Sequence, residues 1–480
     1  MAGPVSVSHD QWSSRFAFIM AAVGSSVGLG NLWRFSAEAG QNGGGAFIII
    51  YLTCVLLIGI PVLMSEFIIG RAGDANSAIR SVTDLAQRSG KSENWSVLAW
   101  IGTIASFLIV SFYCVVAAWV IIYIPKFLFG AFDGQTVIEI SGQFAETRKN
   151  ITGFSPTGLG VLWAFSGFVA LTTWLVARGV NKGIEWAAKV LMPLFFILLF
   201  ALSVYSLWSG FVTPLTMADG SASNGASEAL KFLFRPDFSA VTPEVVTRAL
   251  GQAFFSIGLG SAIMITYGSY LPKSINIPRS AIVIGLTDTA VALIAGLAIF
   301  PIVFAHGLNV NSGAGLFFET LPIALSSAPG GSFIGAAFFF LAIFAAVTSS
   351  ISLLEPAVAW VIEKFQVSRR RAAFFMGLLL WGLGTGSIFI SGFMDVLDGK
   401  ITGAVMLPLA GLLTVVFVGW KMKKSLVDEQ MAGSSALLRF ALFSLVRYVA
   451  PIFVFVVLVL GIDHSYFGDS LGGILGIADN

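Results

Sequence analysis

Four ionisable side chains, Arg34, Glu66, Asp288 and Glu355, stand inside or at the edges of long apolar stretches. A charge at the centre of a bilayer is costly, so such groups pair with one another, face a cavity or mark an ion pathway. Asp288 is the only charge between residues 281 and 305, so its carboxylate needs a cation, a proton or several donors. Glu66, in GIPVLMSEF, and Glu355, in TSSISLLEP, also suit a plainer role, capping free backbone amides. Two further stretches are rich in small and oxygen-bearing residues: SSVGLGN at 25–31 and SIGLGS at 256–261. Glycine weakens a helix by about 1 kcal/mol relative to alanine and lets the backbone approach a ligand closely. Where a helix opens, one half-helix end offers amides to an anion and the other offers carbonyls to a cation. The chemistry this predicts is joint recognition of a hard cation and an anionic small molecule. Each part alone has a milder reading. GSSVG, 24–28, fits small-residue helix packing, and Thr348, Ser349 and Ser350 fit hydroxyls bonded back to carbonyls one turn earlier.

The elements that must position these groups are membrane helices. Of the 480 residues, 56% are hydrophobic and only 11% charged, and the mean hydropathy is +0.89. Soluble domains carry about 25% charged residues. The net charge of +2 points to no particular partner, and no basic run suggests nucleic acid. Cys54 and Cys114 fall in apolar spans, which argues against a disulfide framework, and His9, His306 and His464 are scattered. No zinc pattern or phosphate-binding loop appears, which disfavours an ATP-driven pump on this chain alone. Residues 1–14 lack a cleavable signal pattern, so the first apolar span is expected to be retained.

Eleven spans are predicted: 15–41, 45–70, 95–124, 157–178, 184–208, 244–271, 278–305, 333–364, 370–391, 400–421 and 435–462. The sixth is the weakest, because glycine and serine interrupt it. Lysine and arginine concentrate in alternate connections, those after spans two, four, six, eight and ten. They are absent from 306–332 and from the tail after 462. This bias puts the N-terminus inside and the C-terminus outside. The G-L-G breaks fall in the first and sixth spans, which suggests two five-helix halves related as inverted repeats. The expected organisation is a cytoplasmic segment 1–14, a first repeat 15–208, an extracellular loop 209–243 and a second repeat 244–421. The second repeat includes the outer loop 306–332, whose partly apolar part suits a re-entrant or capping segment. A linker and eleventh helix at 422–462 and an extracellular tail at 463–480 follow.

An ordered set of stretches resembles the neurotransmitter:sodium symporter family. It comprises GSSVGLGNLWRF, NGGGAFIIIY, GIPVLMSEF, GQAFFSIGLG, GSYL, AIFAAVTSSISLLEP and FMDVLDG. The resemblance covers nearly the whole chain and is nearest to the family's bacterial, eleven-helix, leucine-carrying branch. It implies an all-α polytopic protein: two inverted five-helix repeats with broken first and sixth helices, plus an eleventh helix. It implies sodium-coupled symport of an amino acid by alternating access, two sodium sites and no organic cofactor. The first sodium site would use the Ser26 carbonyl, Asn31, Ser256 and Asp288, completed by the substrate carboxylate. The second would use carbonyls of Gly24, Val27 and Ala345 with the hydroxyls of Thr348 and Ser349. Amides of Leu29 and Gly30 and the Tyr113 hydroxyl would hold the substrate carboxylate. Carbonyls of Ser26, Phe255 and Ser256 would accept from its ammonium. Ile109, Phe255, Gly258, Ser261, Ser349 and Leu353 would surround its side chain, with Phe255 as lid. Arg34 and Asp398 would form an outer gate, and Trp12 and Glu363 would belong to an inner one.

Some positions depart from the family pattern. Gly28 stands where monoamine carriers have an aspartate, which argues for an amino acid over an amine. Asp288 stands where many members have asparagine. Animal members bind chloride nearby, in a region matched here by Tyr51, Gln252, Ser256, Asp288 and Ala292. A fixed carboxylate supplies the same negative charge, so chloride-independent transport is expected. His9 replaces the inner-gate arginine, and a His9–Glu363 pair would be charge-assisted only when the imidazole is protonated. Gly258 and Ser261 replace bulkier residues of the leucine carrier, so a large aliphatic or aromatic substrate is the first choice. The rivals are a carrier of another small carboxylate-bearing amine or osmolyte and a non-transporting sensor. An enzyme is not expected, since no hydrolase motif is present. The expected setting is the cytoplasmic (inner) membrane of a bacterium, with a homodimer left open.

Overall fold

The computed structural model describes residues 11–155, 158–216, 222–308 and 315–468. His9 lies outside them. The first repeat contains α1 (Arg15–Ser26), α2 (Gly30–Gln41), α3 (Gly45–Gly73), α4 (Ala78–Arg88), α5 (Glu93–Leu128), α6 (Val137–Lys149), α7 (Val161–Ala177) and α8 (Val180–Val212). Its small antiparallel hairpin pairs β1 (Phe154–Ser155) with β2 (Gly158–Leu159). The linking segment holds the hairpin β3 (Pro214–Thr216) and β4 (Ala222–Asn224) and helix α9 (Gly225–Phe234). The second repeat contains α10 (Pro243–Ser256), α11 (Ile263–Ser269), α12 (Ile277–Ala305), α13 (Leu316–Ser326), α14 (Gly331–Phe365), α15 (Arg369–Phe389) and α16 (Phe393–Lys421). Short α17 (Lys424–Gln430) leads into α18 (Ala436–Phe467).

Eight of these helices are each long and apolar enough to cross a bilayer, and α1 with α2 makes a ninth span bent by 55°. The shorter, 17-residue apolar helix α7 and the α10–α11 pair occupy the two remaining predicted spans, 157–178 and 244–271. Burial sorts them. In α14 and α5, 83% and 72% of the apolar window is buried, against 33% in α8 and α15 and 22% in α18. The third helix of each repeat, α5 and α14, therefore forms the centre, and the two pack on each other. The second helices, α3 and α12, also pack together, as inverted repeats require. Phenylalanines on the outer helices, such as Phe200, Phe211, Phe374 and Phe375, are exposed on the outer surface, where lipid takes the place of water.

Local chemistry starts these helices. Ser14 accepts from the Ala17 amide at 3.1 Å, and Thr136 with Glu139 forms a capping box. Asn224 accepts from Ser227 at 2.8 Å. Asn276 accepts from Arg279 at 2.9 Å, with Pro278 in the first turn of α12. The tenth span begins earlier than its hydropathy indicated, at Phe393, because Asp395, Asp398 and Lys400 mask its first turns. The last helix likewise runs on to Phe467, where the Tyr466 hydroxyl donates to the Lys400 carbonyl at 3.1 Å. The apolar part of 306–332 is the buried helix α13, held where Tyr123 donates to the Phe318 carbonyl at 2.9 Å.

Candidate functional site

The two chain breaks are built differently. In the first, α1 stops at Ser26, whose hydroxyl bonds back to the carbonyls of Ala22 and Val23, each at 3.2 Å. The Gly28 amide donates to Asn31 Oδ1 at 3.0 Å, and the Leu29 amide to the Tyr113 hydroxyl at 3.3 Å. In the second, residues 257–262 separate α10 from α11, with left-handed backbone at Gly258, Gly260 and Ala262. Gly260 has no alternative: a Cβ there would sit 2.2 Å from the Leu407 carbonyl oxygen. Glu66 Oε1 accepts from the Gly260 amide at 2.7 Å, and Ser106 donates to the Ser261 carbonyl. Glu66 is thus an acceptor for an amide that the broken helix cannot satisfy. Glu66→Leu is expected to lower stability by about 1–3 kcal/mol, the cost of a buried unpaired donor. Glu66→Gln should keep most of it, since its carbonyl still accepts. Thermal unfolding in detergent reads both, and a glutamine as damaging as leucine would overturn the capping role.

Between the breaks lies one buried polar cluster. Asn31 and Asp288 are both fully buried. Asn31 Nδ2 donates to Asp288 Oδ1 at 2.8 Å and to Ser256 Oγ at 3.1 Å. The Ser256 hydroxyl donates to Asp288 Oδ2 at 2.6 Å, and the Tyr51 hydroxyl lies 3.5 Å from the same oxygen. Three residues from distant spans therefore surround one carboxylate. Its oxygens and the hydroxyls of Ser256 and Tyr51 are hard ligands of the kind a cation takes, while Asn31 turns its amide nitrogen to the carboxylate and its oxygen to the Gly28 amide. One turn before Ser256, Gln252 is buried with neither end of its amide hydrogen-bonded.

A second cluster joins α1 to α14. Ser349 donates to the carbonyls of Gly24 and Ser25 at 3.4 and 3.3 Å. Thr348 donates to those of Phe344 and Ala345 at 3.0 and 3.1 Å. Val27, which caps the end of α1, is buried, and every polar atom named here is a neutral oxygen. Gly24 is pressed between Thr348 and Met192, either within about 3.1 Å of a Cβ at that position.

The expected substrate residues flank the first cluster. A Cβ on Gly28 would lie 2.9 Å from Ser349 Oγ and 3.3 Å from the Tyr113 hydroxyl. One on Gly30 would lie 3.5 Å from the Phe255 ring. Beside Gly258 there is open space, with Ser261 Oγ at 3.9 Å and turned back onto the Gly258 carbonyl at 2.5 Å. Ile109 and Leu353 are buried apolar residues on the central helices α5 and α14. A cavity of about 520 Å³ ends on Phe255 and is walled by Arg34, Glu38, Asp398 and Leu407. The Arg34 guanidinium lies 4.1 Å over the Phe255 ring. Its carboxylate partner is Glu38, one turn along at 3.9 Å, and Asp398 lines the same cavity.

The opposite face is closed by the N-terminal segment. Trp12 is buried, its indole donating to the Tyr267 carbonyl at 3.0 Å and its amide to that of Tyr270 at 3.1 Å. Glu363 accepts from Ser77. Glu355 accepts from Tyr270 at 2.8 Å and forms an ion pair with Arg369, which also binds the Val176 carbonyl at 3.0 Å. Sequence reasoning missed a latch. Glu185 accepts from the Ser13 amide at 3.0 Å and its hydroxyl, and pairs with Lys189 at 2.6 Å. The Glu–Lys spacing of four was its one signal.

The chain matches the sodium:neurotransmitter symporter family over residues 9–135 and 144–467. It is 38% identical over 461 residues to the uncharacterized sodium-dependent transporter YhdH of Bacillus subtilis, covering 93% of this chain and 96% of that one. It is 32% identical over 464 residues to an uncharacterized sodium-dependent transporter of Haemophilus influenzae, covering 93% and 97%. Among solved structures, it is similar to MhsT in complex with L-phenylalanine, with a TM-score of 0.81 and 39% identity over 94% of this chain and 99% of that one. With its paired helix breaks, its inverted repeats and these similarities along nearly its whole length, this multi-pass membrane protein belongs to the sodium:neurotransmitter symporter family and is a sodium-dependent symporter.

Proposed function

We propose that the protein imports a neutral amino acid with a hydrophobic or aromatic side chain, driven by two sodium ions and independent of chloride. The observation that carries this reading is the convergence of Asn31, Ser256 and the Asp288 carboxylate beside the amide of Leu29 and the hydroxyl of Tyr113. A substrate carboxylate on that amide and hydroxyl would lie next to the ion held by Asn31, Ser256, Asp288 and the Ser26 carbonyl. Ion and substrate would then each stabilise the other, which is the basis of coupling. The second ion would sit among Gly24, Val27, Ala345, Thr348 and Ser349. With neutral ligands only, it would be held more weakly and released first. Gly28 leaves no acid for an amine substrate, so the substrate must bring its own carboxylate.

The open space beside Gly258, with Ser261 turned away onto backbone, favours a large side chain. MhsT, which was solved with L-phenylalanine, supports the same class. An ionised Asp288, which accepts from Ser256 at 2.6 Å, would supply the negative charge for which other members are expected to recruit an anion. Phe255, under Arg34, would close the site toward the cavity it lines, and Trp12 would seal the other side, with Glu363 as a further member of that inner gate. The basic residues of alternate connections support an N-terminus in the cytoplasm of a bacterium and an exported C-terminus.

Uptake into proteoliposomes tests the reading. Each amino acid is offered with sodium or with potassium outside, in chloride or gluconate. Phenylalanine, tyrosine, tryptophan, leucine and isoleucine should accumulate only under the sodium gradient and equally in both anions. Failure of every amino acid under that gradient would sink the proposal.

A further inference from the structure

A second large concavity lies away from the transport path, between α7 and α15. Its volume is about 1130 Å³. Arg178, Lys182 and Arg370 stand at one end, and among the described residues no acid lines it. Beyond them its walls are mostly apolar, Val169, Ala170, Phe374 and Leu378 with the indoles of Trp174 and Trp381, and the hydroxyl residues Ser166 and Thr173 also line it. The cations are placed, not scattered. The Arg178 guanidinium stacks 4.6 Å over Trp174. Next to Arg370, Arg369 ties α15 to the end of α7 through the Val176 carbonyl and to α14 through Glu355. The lining runs along α7 from Arg178 back to Ser166, where the Trp381 indole donates to the Ser166 hydroxyl at 2.9 Å. At about 1.5 Å per residue that is roughly 18 Å, close to the depth of one bilayer leaflet.

We propose that this groove binds an anionic phospholipid, its phosphate on Arg178, Lys182 and Arg370 and one acyl chain along the apolar wall. A basic mouth at the end of an apolar slot between membrane helices is complementary to such a headgroup and tail. A second copy of the chain fits worse. Under two-fold symmetry about the membrane normal, the three cations of each copy would meet at one depth with no acid between them. The inference uses only the membrane-spanning architecture and does not depend on the transported substrate.

Tryptophan quenching tests it on the full chain in phosphatidylcholine nanodiscs. The probe is phosphatidylglycerol with a brominated acyl chain, compared with brominated phosphatidylcholine at the same fraction. Phosphatidylglycerol should quench more strongly, and the excess should vanish in Trp174→Phe/Trp381→Phe. Arg178→Gln/Lys182→Gln/Arg370→Gln should lower the anionic preference at least about tenfold, given a factor of about five for each cation near the surface. Should that variant fail to fold, Ala170→Phe fills the slot with the cations intact, and it too should lose the excess quenching. Thermal stability and sodium-dependent substrate binding verify each variant's integrity. Equal quenching by the two lipids, an excess that persists in the charge and slot variants, or cross-linking of copies through Ala170→Cys in place of lipid binding would each overturn the proposal.

Discussion

In chloride-free medium, Asp288→Ser is expected to stop sodium-driven uptake, and added chloride is expected to restore it. The carboxylate is fully buried and accepts from Asn31 at 2.8 Å and from Ser256 at 2.6 Å, with the Tyr51 hydroxyl at 3.5 Å. Removing it leaves those donors facing one another with no negative charge to receive them or to balance a cation. Taking one partner from a buried charged set costs about 3–5 kcal/mol, so uptake should fall at least about a hundredfold. Serine also leaves room, and the neighbouring Gln252 amide has unsatisfied donors that an incoming anion would engage. Asp288→Asn separates charge from space. It keeps the shape, loses the charge and admits an anion less readily, so chloride should rescue it less than it rescues serine. Thermal unfolding distinguishes an inactive folded variant from a collapsed one. Wild-type uptake that already requires chloride, or a folded serine variant indifferent to chloride, would defeat the reading of Asp288 as a built-in anion.

Much of this site was legible because its parts announce themselves locally. A carboxylate alone in an apolar span must find donors, and Asp288 finds Asn31 and Ser256. Glycine pairs in two spans promise broken helices, and both helices break at them. Glu66 and Glu355 show the limit of that logic. Both are intramembrane acids, yet one binds a backbone amide and the other an arginine fourteen positions along the chain. Only the fold decides between those ends. The latch of Ser13 to Glu185 was hidden for the same reason, since its partners are 172 residues apart. The start of the tenth span was hidden by its own function-bearing face: Asp398 lowers the hydropathy of a helix whose polar side lines a cavity. Arg34 carries a different lesson. It pairs with Glu38, one turn away on the same helix, and the expected partner Asp398 lines the same cavity.

Gly28→Asp is expected to abolish amino-acid binding, by more than about a hundredfold, in a protein that still folds. The stretch GSSVG places two glycines against α14, and they do different things. A Cβ on Gly24 would meet Thr348 and Met192 at 3.0–3.1 Å, buried neighbours on two helices. Gly24→Ala should therefore lower stability, at the roughly 1–3 kcal/mol typical of overpacking. A Cβ on Gly28 would meet Ser349 Oγ at 2.9 Å and the Tyr113 hydroxyl at 3.3 Å, groups assigned here to substrate. Gly28→Ala should cost affinity more than stability, about tenfold. Aspartate adds a carboxylate facing the place of the substrate's own, so like charges are forced together in a buried site. Gly30→Ala is the milder contrast: its Cβ would make an ordinary 3.5 Å contact with Phe255 and the backbone amide expected to face substrate is kept, so it should move both axes least. Radioligand binding and thermal unfolding on the same four variants separate the two axes. If Gly28 and Gly24 fall on the stability axis together, the stretch is a packing seam and the substrate lies elsewhere. If Gly28 moves affinity alone, the break was opened for a ligand.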